Sequence, residues 1–138
     1  MSPEQLLGSA EFNADEVVVA DFEAGVGTLT RLEEQRVDTV LVVTEATPKS
    51  LEVGQRAVQL AQDRKVGRII VVANRVRSDA DLETVKAAFP GVEVVAVPDD
   101  PKIVEADRKG VAPIDLAPDA PAVLALIGLA RGLVPSLN

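Results

Sequence analysis

Four short blocks rich in Val and Ile punctuate the chain, at positions 17–20, 37–43, 68–73 and 92–97. None sustains an alternation of apolar and polar residues, which predicts strands covered on both faces, the pattern of a parallel sheet. Segments of helical character lie between them at 28–35, 50–65 and 78–89. In the second of these, Leu51, Val53, Ala57, Val58, Leu60 and Ala61 gather on one side, while Glu52, Gln55, Arg56, Gln59 and Asp63 point elsewhere. Ser50 is the expected N-cap of that helix, with Gly67 just beyond its end. Ser78, three residues before Asp81, opens the next helix as a loose capping box, and Pro90-Gly91 stops it. A Pro- and Asp-rich stretch at 98–119 is expected to hold a short helix at 102–109. A last apolar helix follows at 121–133, with Pro121 well placed in its first turn. The order β-α-β-α-β-α-β-α-α predicts one α/β domain over residues 1–138, with a parallel four-stranded sheet and connecting helices.

Composition narrows the chemistry. The 138 residues are 47% apolar and 26% charged, a globular balance. There is no Cys and no His, so disulfides, a thiolate nucleophile, an imidazole base and the usual zinc ligands are excluded. Aromatic residues are only Phe12, Phe22 and Phe89, too few for a base-stacking platform. Lys plus Arg total 14 against 22 Asp plus Glu, and a net charge of −8 opposes binding to a phosphate backbone. No nucleic-acid partner is therefore expected. No apolar stretch approaches the ~20 residues of a bilayer span and the first residues lack a secretory pattern, so the expectation is a cytoplasmic protein without membrane contact.

In open parallel sheets ligands bind beyond the carboxyl ends of the strands, which singles out the residues following each block. These are Asp21 to Gly25, Thr44 to Pro48, Asn74 to Arg77, and Pro98 to Pro101. The carboxylates Asp21, Glu23, Glu45, Asp99 and Asp100 on this rim are oxygen ligands suited to a hard cation such as Mg²⁺, and equally suited to a solvated loop edge. A paired-carboxylate hydrolase needs a fixed separation that nothing in the sequence supplies. A phospho-acceptor site of the receiver type would need a Lys at a later strand end, where Asn74 and Pro98-Asp99-Asp100 stand instead. Gly25 and Gly27 flank one residue, but a third glycine is missing, and no GxxxxGK[ST] phosphate loop occurs anywhere in the chain. Asp21 and Asn74 also serve as turn formers, and Pro98 can simply end a strand.

From about residue 14 to the end, these segments resemble, in collinear order, the carboxyl-terminal part of the deviant-Walker P-loop ATPases. The stretches that carry the resemblance are VVVADFEAG at 17–25, VLVVTEATPKSLE at 40–52, IVVANRV at 70–76, VPDDP at 97–101 and ADRKG at 106–110. The nearest branch is the carbon-monoxide-dehydrogenase maturation, or nickel-insertion, ATPases; division-site and chromosome-partitioning ATPases are more distant. The resemblance implies a Rossmann-like three-layer fold of P-loop NTPase type. It implies that Asp21 contacts Mg²⁺ through water, that Gly25 lies near the γ-phosphate, that Asn74 reads the adenine edge, and that Pro98 and Asp99 belong to the loop against the base. Mg²⁺ with ATP or ADP would be the ligands. The departure is the phosphate loop: its strand, lysines and helix would precede residue 14, where MSPEQLLGSAEFN stands. Without that cradle and its Lys, the developing charge of phosphoryl transfer is not stabilised, so no autonomous hydrolysis is expected. The family's Cys-based metal site is likewise ruled out by composition.

The resemblance also places the missing strand between the first two blocks, so either those two pair directly or a slot opens in the sheet. Right-handed crossovers put the connecting helices on one face, leaving the other to the last helix alone. Four strands span roughly 19 Å against about 10–12 Å for a helix, so half of that face is expected to lack cover. Such an apolar patch predicts a homodimer or a P-loop ATPase partner chain. The expected function is thus an ATPase-like interaction or regulatory module. A split subunit completed by a separate P-loop chain and a non-hydrolysing adenine-nucleotide module are its alternatives.

Overall fold

The computed structural model describes residues 17–21 and 37–134. Three parallel strands form the sheet: β1 (Thr39–Thr44), β2 (Arg68–Val76) and β3 (Glu93–Pro98), in the order β1-β2-β3. Thr39 lies opposite Arg68 and Thr44 opposite Ala73, while Ile70 lies opposite Glu93 and Ala73 opposite Ala96. The central position of β2 accounts for its unbroken apolar run, since Ile70, Val71, Val72 and Ala73 are all buried.

Alternation along β2 builds two cores. Val71 and Ala73 face α1 (Pro48–Asp63) and α2 (Asp79–Ala88), packing with Val42, Val58, Val85 and Phe89. Both helices connect neighbouring strands in the same direction, and right-handed crossovers place them on one side. Ile70 and Val72 face the other way, toward Val97 and Ala122. That layer is α5 (Pro121–Leu133), with Ile103 added from α3 (Pro101–Lys109); the one-turn α4 (Pro113–Leu116), absent from the sequence expectation, joins them. Arg68 clamps the amino edge of the sheet, meeting Glu93 at 2.9 Å and donating at 2.9 Å to the carbonyl of Gly132 near the end of α5. Since α5 packs over β3, Leu41 and Val43 of β1 remain 39% and 63% exposed on the same face.

The sheet has three strands among the described residues, not four. Positions 17–20 lie outside it, with Val19 89% exposed. A β-branched run reports fitness for a pleated, packed surface, and becomes a strand only where a neighbour completes its ladder; these residues do not pair with β1. The helix expected at 28–35 lies outside the described residues. At α1 the start also differs: Thr47, extended at φ −117° and ψ 148°, is the N-cap and Pro48 opens the helix. The far end of α1 closes on Lys65, at φ 58°, with Val66 N–H donating to the Ala61 carbonyl. Gly67 therefore serves another purpose: a Cβ there would lie 3.2 Å from the Asp38 carbonyl oxygen. Ser78 caps α2 as expected, its hydroxyl accepting from Asp81 N–H at 3.2 Å, and Asp81 in turn accepts from Arg77 N–H at 3.0 Å.

Candidate functional site at the carboxyl edge of the sheet

The strand ends converge where parallel-sheet geometry predicts a ligand crevice. At the end of β1, Thr44 is buried and its hydroxyl lies 2.9 Å from that of Ser50, which also accepts from Glu45 N–H at 2.9 Å. Ser50 thus ties the first turn of α1 to the strand end and does not cap the helix.

At the end of β2 the register with β3 shifts between Ala73 and Val76, forming a bulge that contains Asn74 and Arg75. Arg75 adopts φ 55°, in the left-handed region. Asn74 is half-buried, and its amide makes no hydrogen bond to the described residues. Pairing resumes beyond the bulge, with Val76 opposite Pro98 and Asp99 N–H donating to the Val76 carbonyl at 2.9 Å. Pro98 ends an edge strand, where its missing N–H costs the ladder nothing.

Two arginines from β2 and its exit face the acidic ends of the flanking strands. Arg75 reaches Glu45 at 3.5 Å and Asp99 at 3.4 Å, and Arg77 reaches the other Asp99 oxygen at 3.2 Å. The Arg77 hydrogen bond holds the Asp99 carboxyl below its ordinary range; desolvation opposes this and the Arg75 hydrogen bond adds to it. Asp100, next in the chain, is 8% exposed and turned inward. One of its oxygens accepts from Lys102 N–H at 3.0 Å as the N-cap of α3, and the other accepts from Ala122 N–H at 3.1 Å in the first turn of α5.

The rim expected to be a set of free carboxylates is therefore divided. Asp100 is a structural cap, Glu45 and Asp99 are neutralised by arginine, and no group of three metal-ligating residues occurs among the described residues. Asp21 is exposed and belongs to no strand, and Gly25 lies outside the described residues. Asn74 lies in the bulge of β2, and Pro98 and Asp99 stand at the end of the neighbouring β3, where Pro98 is opposite Val76. Sequence reasoning passed over Arg75 and Arg77; two cations following the central block, opposite acidic residues following its neighbours, were the available signal.

A parallel sheet with a bulged central strand and a polar cluster beyond its carboxyl edge defines the class as an open-sheet, Rossmann-like α/β protein. Comparison with known proteins gives that class particular relatives. The chain is 35% identical over 116 residues to an ATP-binding protein of Methanocaldococcus jannaschii, covering 81% of this chain and 44% of that protein. A second ATP-binding protein of the same organism is 35% identical over 100 residues, covering 70% of this chain and 40% of that one. The carbon monoxide dehydrogenase accessory protein CooC of Rhodospirillum rubrum is 29% identical over 104 residues, covering 75% and 40% respectively. No protein-family profile matches the chain. The chain spans less than half the length of these curated relatives. The similarities support a relation to P-loop ATPases, as the strand-end residues imply.

Proposed function

We propose that this chain is an ATPase-related module that receives the base end of an adenine nucleotide at the carboxyl edge of its sheet and does not hydrolyse ATP with its own residues. The observation that carries the reading is Asn74: a half-buried residue whose amide has no partner among the described residues, on a bulge at the edge where such folds bind ligands. The names of the relatives supply the nucleotide. In the sequence, the absence of GxxxxGK[ST] supports the lack of autonomous turnover. Mg²⁺ keeps most of its waters and takes one or two carboxylates together with phosphate oxygens, so Asp21 fits as a contact to a nucleotide-borne ion and does not suffice as a site alone.

Titration calorimetry with Mg-ATP and Mg-ADP tests the reading, with light scattering on the same sample. Micromolar to millimolar binding that Asn74→Ala abolishes is the expected result; heat unaffected by the substitution, or no heat, overturns it. A second reading, a subunit completed by a separate P-loop chain, is favoured by exposed Leu41 and Val43 beside the outer edge of β1, which pairs with no strand among the described residues. Turnover that emerges only on mixing with such a chain would establish it. A second copy of this chain is the other candidate for that surface, and a strictly monomeric mass at tens of micromolar would exclude it.

A further inference from the structure

Two non-glycine residues among those described have positive φ, Lys65 and Arg75. Lys65 has a local reason, since it closes α1 with a left-handed turn. Arg75 closes no helix; it sits within β2, where an L-residue favours extended backbone. Its conformation is matched by its side chain, which spans from Glu45 after β1 to Asp99 after β3 and so links all three strand ends. These ion pairs are about half exposed, and pairs so solvated add little to folding stability. What the bulge does is re-aim its neighbour. That neighbour is Asn74, whose amide offers a donor and an acceptor side by side. Such a pair matches the N6 donor and N7 acceptor on the major-groove edge of adenine, and mismatches the same edge of guanine, which presents two acceptors at O6 and N7.

We propose that Arg75 is a positioning residue for base selection: its left-handed backbone and its guanidinium, clasped between Glu45 and Asp99, hold the bulge so that the Asn74 amide is presented to an adenine edge. The inference rests on the nucleotide reading above and adds the group that sets its selectivity. Arg75 touches no ligand in this role, and Asp99 acts as half of the clasp.

The test is a titration of the ¹⁵N-labelled chain with ADP and with GDP, following the side-chain amide of Asn74, for the wild type, Arg75→Gly, Arg75→Lys and Asn74→Ala. Glycine accepts positive φ without strain, so Arg75→Gly removes the guanidinium while leaving the backbone conformation accessible. It is expected to keep its melting temperature within about 2 °C, to bind ADP about tenfold more weakly, and to lose the preference for ADP over GDP. Lysine, a point charge that cannot fork between two carboxylates, should fall between the two. Unchanged affinity and preference in Arg75→Gly would overturn the positioning role while leaving the nucleotide reading intact. A loss of affinity with preference retained would also overturn it. If the wild type shows no ADP-dependent shift, or Asn74→Ala binds as the wild type does, the nucleotide reading falls and the positioning role with it.

Discussion

Asp100 offers a decisive test of how the carboxyl edge is divided between structure and chemistry. Its carboxylate accepts N–H groups from two helices, Lys102 at 3.0 Å and Ala122 at 3.1 Å, and Ala122 is fully buried. The N-cap residue of α5, Ala120, has no side chain to do this, so that helix is capped from the β3 exit. Asp100→Ala removes an N-cap, about 1 kcal/mol, and orphans a buried N–H, about 1–3 kcal/mol, giving roughly 2–4 kcal/mol in total. Asp100→Asn keeps one acceptor and loses the other along with the charge between two helix N-termini, for about 1–2 kcal/mol. Urea unfolding should rank wild type, Asn, then Ala in falling stability, with a drop in melting temperature on the order of 10 °C for Ala. Amide exchange should localise the loss, with Ala122 N–H exchanging faster in both variants. If Asp100→Ala unfolds within about 0.5 kcal/mol of the wild type, the capping argument fails and the carboxylate returns to the pool of ligand candidates.

Other predictions follow from the same packing. A Cβ on Gly54 would meet Phe89 Cζ at 3.0 Å, so overpacking of about 1–3 kcal/mol should outweigh the helix-propensity gain of up to about 1 kcal/mol, and Gly54→Ala should destabilise. Gly128, inside α5 with nothing within 4 Å of the same position, should instead stabilise on substitution by Ala by up to about 1 kcal/mol; a urea melt in which both variants move the same way refutes the distinction. The Asp99 carboxyl is lowered first by Arg77. Its contribution to stability is therefore present above the ordinary carboxylate pKa and is lost as pH falls through its lowered value in the folded chain. Carbon-detected titration should place Asp99 below an ordinary aspartate, and Arg77→Gln should raise it more than Arg75→Gln; the reverse order would contradict the geometry.

Three strands were legible because a buried parallel strand leaves a dense β-branched block, and the two cores follow from alternation along β2. The block at 17–20 carries the same signal without becoming a strand, because composition reports suitability for a ladder and not the presence of a neighbour. The start of α1 was available in Pro48, by the same rule that marked Pro121, but the hydroxyl of Ser50 competed for the reading. In the structure that hydroxyl bonds Thr44 and Glu45, a contact between helix and strand end that no local pattern encodes. Asp100 was likewise readable as an N-cap before Pro101. Its second partner, Ala122, lies 22 residues away and emerges only from the fold.

The same distinction bears on the site. Five carboxylates look alike in a sequence, and their roles separate only when partners are assigned. Asp100 is occupied by helix ends, while Glu45 and Asp99 are joined through Arg75. Each assignment removes a residue from cation chemistry and adds one to the support of the bulge. What remains unpaired at that bulge is Asn74, a neutral group with both a donor and an acceptor. A neutral, bifunctional amide is suited to reading the edge of a base and unsuited to holding a metal, which is why recognition is the chemistry proposed for this edge.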